Sequence, residues 1–312
     1  MRVGVVILPA AEWRTARRDW QRADEWGLDH AWTYDHIAWR DLIDDRWYAA
    51  MPTLAAAAVS TERIGIGTMV STPNFRHPVP LAKEALALRD LSGGRFTLGI
   101  GAGAGGADAR VLGAAEPSPA ERSARFSEFV RLADECLSRP VVNFAGEHYQ
   151  AVEARMDPAC GPGRALPIAV AAGGPAGMRV TARHADIWVT NGSSPSPGLL
   201  APGVRPAVIA AQLRQLWAIC AEEGRDPGTL RTLLLNSDRV NPPLASVESF
   251  QETVAWCREL GITDLVVPFP RTDPPYAGDQ RILERIAREV LPGLRQDVSL
   301  SAVRATIRDE DR

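Results

Sequence analysis

Residues 167–190, PIAVAAGGPAGMRVTARHADIWVT, show in one short stretch the pattern that decides the fold. Two apolar runs, at 168–172 and 187–190, flank a segment of helical periodicity at 175–184, which predicts a strand, a helix and a second strand. A unit of this kind places two parallel strands side by side and covers them with the crossover helix. The stretch therefore predicts an α/β protein with a parallel sheet.

The same alternation continues in both directions along the chain. It predicts eight strands, at 3–8, 31–34, 64–70, 96–101, 168–172, 187–190, 232–235 and 264–267. It also predicts eight helices, at about 15–27, 49–60, 79–91, 119–138, 175–184, 207–223, 246–260 and 279–297. Eight strand–helix units favour a closed (β/α)₈ TIM barrel. An open doubly wound sheet gives the same alternation with fewer strands and is the alternative.

Three segments exceed what a minimal barrel needs, and we interpret them as insertions at 102–118, 139–166 and 192–206. The middle one, with NFAGEHYQ, is typical of a small hairpin. Long connections often cover a binding site, so the first and third are candidate lids. We expect one barrel domain over 1–297, followed by a charged tail at 298–312.

Composition narrows the class of protein and its partners. Hydrophobic residues make up 46% and charged residues 23% of the 312, as in ordinary globular proteins. The net charge of −3 gives no basic surface for nucleic acid or an anionic membrane, and no apolar run approaches a membrane span. The four cysteines lack CxxC spacing, and the apolar start of the chain predicts a strand rather than an export signal. We expect a cytoplasmic protein with a small-molecule partner.

The residues after each predicted strand are small and polar. Glycines and hydroxyls suit the close approach of a flat cofactor that carries a phosphate. The run Gly101-Ala102-Gly103-Ala104-Gly105-Gly106 resembles a dinucleotide loop, although a plain connection explains it equally well. In Ala172-Gly173-Gly174-Pro175, the proline suits the first turn of a helix whose N–H groups face an anion, with an ordinary tight turn as the alternative. No metal-ligand cluster and no GxSxG elbow is present, so we predict no metal site.

His36 is the strongest catalytic candidate because it follows a predicted strand directly and has Trp39 close behind it. An imidazole there could stabilise negative charge on a cofactor ring or deprotonate a substrate hydroxyl. A histidine merely bonded within its loop is the alternative. We expect His77 to cap a helix, and the remaining histidines, His30, His148 and His184, to be peripheral.

Six segments together resemble the luciferase-like monooxygenase superfamily over about residues 1–297. This superfamily includes flavin-dependent monooxygenases and deazaflavin-dependent dehydrogenases and reductases. The segments are WGLDHAWTYDHIAW at 26–39, IGIGTMVSTPNFRHP at 64–78, LSGGRFTLGIGAGAG at 91–105, ERSARFSEFVRL at 121–132 followed by FAGEHYQ, the opening stretch at 167–190, and GITDLVVPF at 261–269.

The resemblance implies a barrel with an insertion segment, a homodimer and an oxidoreductase that acts on a small organic substrate. The Asp35-His36 pair and Trp39 match the catalytic histidine and tryptophan of the dehydrogenase branch, with Trp39 one residue closer than usual. Coenzyme F420 is the cofactor that this arrangement favours, and FMN with molecular oxygen is the alternative. Further positions that the resemblance places against the cofactor are Asp35, Met69 and Val70 (at a non-prolyl cis peptide bond), Thr72, Gly101, Ala102, Gly103, Ala172, Gly173, Gly174, Pro175 and Thr190.

One position departs from the pattern. The deazaflavin-dependent sugar-phosphate dehydrogenases carry a glutamate proton donor after the glycines of strand four, whereas Ala104 stands here. An alanine cannot transfer a proton, so we expect a different substrate, and we expect His36 to lack its usual acidic companion. A barrel that binds a flavin without turnover is a further alternative. We expect the bulky Trp32 and Trp188 to pack in the barrel wall.

Overall fold

The computed structural model of the protein describes residues 1–39, 42–103, 107–156, 163–192, 204–239 and 241–294. Ten strands are formed within them. They are β1 (Arg2–Val6), β2 (His30–Thr33), β3 (Gly65–Thr68), β4 (Phe96–Gly101), β5 (Val141–Ala145), β6 (Gln150–Arg155), β7 (Ile168–Ala171), β8 (Ile187–Thr190), β9 (Arg231–Leu235) and β10 (Asp264–Pro268).

Eight of these strands form a closed parallel barrel in the order β1, β2, β3, β4, β7, β8, β9, β10. The last strand closes the barrel on the first, with Arg2 opposite Asp264 and Val6 opposite Pro268. The predicted (β/α)₈ TIM barrel is confirmed, and the open sheet is wrong. The remaining strands, β5 and β6, pair antiparallel as the hairpin predicted within 139–166.

Helices follow the barrel strands as the alternation predicts. They are α1 (Trp13–Glu25), α2 (Ala50–Ser60), α3 (Pro78–Leu91), α4 (Ala107–Val111), α5 (Pro119–Ser138), α6 (Pro175–His184), α7 (Val204–Glu222), α8 (Val247–Glu259) and α9 (Gln280–Glu289). Helix α4 was not predicted, because five residues are too few to show a periodicity. Ser118 caps α5 as an oxygen acceptor, and His77 caps α3 as predicted. The tail at 298–312 lies outside the described residues.

Successive residues of each barrel strand face opposite sides of the barrel wall. Val5, Val170 and Trp188 pack outward in the layer between strands and helices, whereas Trp32 and Ala169 belong to the cluster that fills the barrel interior. Trp32 and Trp188 are both buried, as expected. Because the interior is filled, a substrate can bind only at an end of the barrel.

Cys136, Cys220 and Cys257 are buried, and burial raises the pKa of the Cys136 thiol to about 11. Cys160 lies outside the described residues. No helix in the described segments is both long and apolar enough to cross a membrane.

His30 is not peripheral, which corrects the expectation from sequence. It begins β2 and is only 3% exposed at the amino-terminal end of the barrel. Trp32 Nε1 donates to His30 Nδ1 (2.8 Å), so the ring proton lies on Nε2, which is 3.1 Å from Asp264 Oδ1. Asp264 also accepts from Arg231, and these partners lower its pKa although burial alone raises it. His30 is therefore held neutral beside an ionised carboxylate.

This network makes stability depend on pH. Burial lowers the pKa of His30, and a proton on Nδ1 would oppose the Trp32 N–H. Below the ordinary histidine pKa of ~6.5 the unfolded chain thus binds a proton that the folded chain resists, and the free energy of unfolding falls as the pH is lowered. A glutamine at position 30 can accept from Trp32 and donate to Asp264, and its amide does not titrate. We expect urea unfolding of His30→Gln to lose this part of the pH dependence between pH 7 and 5; equal slopes in the two proteins would contradict it.

Candidate active site

His36 lies in the loop after β2, at the carboxyl-terminal end of the barrel, and is hydrogen-bonded to a carboxylate that sequence reasoning missed. Its Nδ1 is 2.8 Å from Asp108 Oδ2, across 72 positions of sequence. The other oxygen of Asp108 accepts from the backbone N–H groups of Ile37 (2.7 Å) and Ala38 (3.3 Å). Asp108 lies on α4, in the segment interpreted as the first insertion. The usual glutamate is absent, because Ala104 stands at its position, but Asp108 provides a different acidic partner for His36.

The Asp108 carboxylate sets the chemistry of His36. Burial raises the pKa of Asp108, but the hydrogen bond and charge of His36 and the two backbone N–H groups outweigh burial and lower it. An ionised Asp108 accepts the Nδ1 proton, which leaves the lone pair on Nε2. Among the residues that the structure describes, none hydrogen-bonds Nε2, and the side chain is 25% exposed. His36 can therefore take up a proton at Nε2.

Four aromatic side chains, Tyr34, Trp39, Trp47 and Tyr276, form a wall beside His36. The Trp39 ring lies 5.1 Å from Tyr34, 5.6 Å from Trp47 and 6.2 Å from Tyr276, measured between centroids. Trp47 Nε1 donates to the backbone oxygen of His36 (2.8 Å), which fixes the loop against this wall. Trp39 itself is buried. We call these four residues the aromatic wall; a catalytic role for Trp39 stays a prediction.

Asp35 joins the β2 loop to the β3 loop. Its carboxylate accepts from Ser71 Oγ (2.6 Å) and from Arg76 Nε (3.1 Å) and Nη2 (2.7 Å), and the residue is 1% exposed. Both oxygens are thus engaged by protein groups. The contact of Asp35 with a cofactor stays a prediction, and the geometry favours an indirect role in which it orients the loop that carries His36.

The Met69–Val70 peptide bond is cis, as the resemblance implies. Val70 lies against Gly101: a Cβ added at Gly101 would come within 2.5 Å of Val70 Cγ2. At Gly99 an added Cβ would come within 1.9 Å of the Thr68 carbonyl oxygen. The glycines of β4 therefore allow β3 and its following residues to pack closely at the barrel mouth.

Thr72 and Gly103 lie on two sides of Asn74. Thr72 is buried, and its Oγ1 accepts from the Asn74 N–H (3.3 Å). Gly103 has φ +75°, and an added Cβ would come within 2.4 Å of Asn74 Nδ2. Arg125 of α5 donates to Asn74 Oδ1 (3.0 Å), so the β3 and β4 loops are tied to one helix. Ala102 is half-buried between the two glycines, and Ala104 lies outside the described residues.

Helix α6 begins at Pro175, as predicted, and no side chain caps it. An added Cβ at Gly174 would meet nothing within 4 Å, and one at Gly173 only Gln212 Nε2 at 3.7 Å, so the space before the helix is open. Open N–H groups at a helix N-terminus suit an anion. Nearby, Thr190 Oγ1 donates to Gln212 Oε1 (2.8 Å). Ala172 is buried, and its carbonyl oxygen accepts from the Trp188 indole.

The predicted residues thus gather at one end of the barrel in two connected groups. Gly101 pairs with Ala171 in the adjacent strand, which brings the Val70 surface next to the α6 turn. The Asp35–Ser71 bond joins this group to the loop of His36. Of the two candidate lids, the first carries Asp108, and residues 193–203 of the other lie outside the described residues. No group of three metal-ligating side chains is present in the described segments.

Sequence comparison relates the chain to known proteins. A family model described as Luciferase-like monooxygenase matches residues 1–236. An F420-dependent glucose-6-phosphate dehydrogenase of Amycolatopsis mediterranei (strain U-32) is 36% identical over 172 residues, which cover 54% of this chain and 50% of that protein. The chain thus spans about half the length of this relative. A protein of the same name from Intrasporangium calvum is 30% identical over 88% of this chain and 92% of its own length.

A further relative is a 4-hydroxyprotoasukamycin monooxygenase of Streptomyces nodosus subsp. asukaensis, 30% identical over 65% of this chain and 52% of that protein. Among solved structures, an F420-dependent secondary alcohol dehydrogenase in complex with an F420-acetone adduct superposes with a TM-score of 0.76. It is 18% identical over 93% of this chain and 98% of its own.

The F420-dependent tetrahydromethanopterin reductase of Methanopyrus kandleri superposes with a TM-score of 0.74, at 17% identity over 94% of this chain and 99% of its own. At such low identities the two structures show a common fold. The family model covers most of the chain, and the relative from Intrasporangium calvum extends the similarity over nearly all of it. The chain therefore belongs to the luciferase-like monooxygenase family.

Proposed function

We propose that the protein is an F420-dependent oxidoreductase that oxidises a small organic alcohol, with His36 accepting the hydroxyl proton. The observation that carries this proposal is the Asp108–His36 pair, which leaves Nε2 as a base beside the aromatic wall. Several relatives with F420-dependent dehydrogenase in their names support the choice of cofactor.

The residues at the mouth fit a flat cofactor that carries a phosphate. Gly101 has no side chain and packs closely against Val70, and the uncapped start of α6 offers N–H groups in open space. We propose that the ring lies against the Val70 surface and that the phosphate lies at Gly174. When bound, deazaflavin F420 supplies a hydride acceptor, while the protein supplies orientation and electrostatics.

The protein's own part in the reaction is proton transfer and exclusion of water. As the substrate carbinol carbon loses its hydride, the hydroxyl proton moves to His36 Nε2 and a carbonyl product forms. Asp108 stabilises the resulting imidazolium, because it already accepts the Nδ1 proton. The aromatic wall shields the reacting atoms from water, which strengthens this electrostatic stabilisation.

An FMN-dependent monooxygenase is the second candidate, supported by the family description and by the monooxygenase among the relatives. A flavin-binding barrel without turnover is the third, and the Asp108–His36 pair argues against it, since binding alone needs no paired base. We also propose a cytoplasmic homodimer, supported by the family resemblance and by the buried thiols.

The cofactor proposal predicts different effects for two substitutions at one position. Gly174 has φ −133° and ψ 169°, which any residue adopts, and has room for a side chain. Gly174→Asp supplies a favoured N-cap, so the protein stays as stable as wild type, but its carboxylate occupies the anion position. We expect absorbance titration to give F420 binding about tenfold weaker or more. The matched Gly174→Ala variant retains wild-type affinity.

The same titration with FMN separates the two cofactors. We expect wild type to bind F420 at least about tenfold more tightly than FMN, a difference of about 1.4 kcal/mol. Tighter binding of FMN would contradict the proposed dehydrogenase and favour the FMN-dependent monooxygenase. Equal F420 affinity in the Gly174→Asp and Gly174→Ala variants would show that the phosphate does not bind at the start of α6.

A further inference from the structure

A cavity of about 440 Å³ opens beside the aromatic wall, at the carboxyl ends of β9 and β10. Its lining comes from residues 238, 239 and 242–245 after β9, and from residues within 268–282 after β10. The volume lies within the range of small-molecule sites, about 300–1,000 Å³. None of the residues argued above to hold the cofactor lines this cavity.

Tyr276 lies at the border between the cavity and the aromatic wall beside His36. Its ring lines the cavity and packs on Trp39 at 6.2 Å, and its hydroxyl lies 3.1 Å from the Tyr34 hydroxyl. The Tyr34 ring is in turn 6.4 Å from the His36 ring. Tyr276 has φ +71°, a left-handed conformation that is unfavourable for a residue with a Cβ. The fold tolerates this strain and thereby places the ring at the border of the cavity.

Proline dominates the lining of the cavity. Proline has no backbone N–H, so these residues offer an apolar surface without hydrogen-bond donors. Leu244 and Ile282 extend the same surface. The six prolines are Pro242, Pro243, Pro268, Pro270, Pro274 and Pro275.

The charged groups of the lining do not favour an anion. Among the described residues of the lining, Arg239 is the one that carries a positive charge, and it lies over the Tyr276 ring at 5.9 Å. Asp238 and Asp279 contribute two carboxylates, so negative charge exceeds positive charge. The single lysine of the chain, Lys83, donates to the Met156 carbonyl oxygen. A phosphate dianion placed here would face proline rings and two carboxylates, with a single guanidinium to offset them.

We propose that this cavity binds the apolar ring of the substrate, and that the substrate is an uncharged alicyclic or aromatic secondary alcohol rather than a sugar phosphate. The inference rests on the proposed function, in which the substrate hydroxyl group is oxidised. The ring occupies the proline-lined cavity, and the carbinol carbon extends past Tyr276 to His36. The cavity thereby selects a substrate class different from the one named in the dehydrogenase relatives.

Binding measured without cofactor tests the inference independently of turnover. The probe is 1-indanol, an uncharged bicyclic secondary alcohol, compared with glucose 6-phosphate by saturation-transfer NMR. We expect saturable binding of 1-indanol and none of glucose 6-phosphate. Ala245 and Ala277 are exposed residues of the lining, so Ala245→Phe and Ala277→Phe fill the cavity without disturbing the core. Each should weaken 1-indanol binding at least about tenfold, given the size of the added ring.

Val152→Phe is the matched control, because it adds the same ring at an 83% exposed position of the hairpin. It should leave the affinity for 1-indanol unchanged. Stronger binding of glucose 6-phosphate, or full affinity in both filled variants with folding verified by circular dichroism, would overturn the inference. If 1-indanol binds but F420 does not, the cavity assignment stands and the proposed redox function falls.

Discussion

His36→Asn should lower kcat for oxidation of a secondary alcohol by about 100- to 10,000-fold, the usual range for loss of a general base. Asparagine can still donate to Asp108 Oδ2, so the loop should stay in place, but its amide cannot take the hydroxyl proton. Because the proposed cofactor position lies at Val70 and α6, the affinity for F420 should change less than twofold. Steady-state turnover and cofactor titration on the same preparation measure the two quantities.

The matched control is His77→Asn. His77 caps α3 through its Nδ1, and asparagine is a favoured N-cap, so this variant should fold and turn over as wild type. Near-normal kcat in His36→Asn would show that another group is the base. A wild-type protein that binds F420 and turns over no alcohol, including 1-indanol, would favour the non-catalytic barrel.

Asp108→Asn should lower kcat by about 100-fold or more, because it is expected to reverse the tautomer of His36. The backbone N–H groups of Ile37 and Ala38 require an oxygen acceptor, so the amide oxygen should face them. The amide nitrogen then donates to His36 Nδ1 and moves the ring proton to Nε2, which no longer accepts a proton. A similar amide substitution in the serine protease triad costs about 10⁴-fold.

Nitrogen-15 NMR of the histidine ring separates this positioning role from a purely structural one. We expect the proton on Nδ1 in wild type and on Nε2 in Asp108→Asn, with kcat reduced and KM for 1-indanol little changed. Asp108→Glu keeps an ionised acceptor and should restore part of the rate. A variant that keeps the Nδ1 proton yet loses activity would assign Asp108 to the folding of α4 alone.

The barrel could be predicted because its information is local. Apolar runs and helical periodicity mark each strand and helix within a few residues, and the stop signals lie beside them. Closure of the barrel has no local signal and follows only from the count of eight strand–helix units, and the α4 helix could not be predicted. Closure joins Arg2 to Asp264, and α4 is too short to carry a periodic signal.

The site residues also fall into those that the local sequence marks and those that only folding brings together. His36 could be predicted from its place after a strand, whereas Asp108 becomes its partner only through folding. The acidic residue stands four positions after Ala104, and that spacing was the available signal. His30 carries no local signal of burial, because its partner, Asp264, lies 234 positions away. The same holds for Tyr276, which meets Tyr34 across 242 positions.

The cofactor positions depended on the family resemblance more than on physical reasoning. The structure gives Gly101 and Gly103 a packing reason of their own, in the close approach of Val70 and Asn74. Sequence alone offered either a plain connection or a cofactor loop for these glycines. Both interpretations describe the same residues, because a surface without side chains serves close packing and cofactor approach together.

The Asp108 side chain has two structural roles, and this limits which changes the insertion that contains α4 can tolerate. Its three hydrogen bonds attach a five-residue helix to the β2 loop and orient the imidazole at the same time. A helix of that length has little stability of its own. Replacement of this insertion by an unrelated segment is therefore expected to disturb both the β2 loop and the orientation of His36. A replacement must bring its own anchor for the loop and its own acceptor for Nδ1, or else adopt a reaction that needs no base.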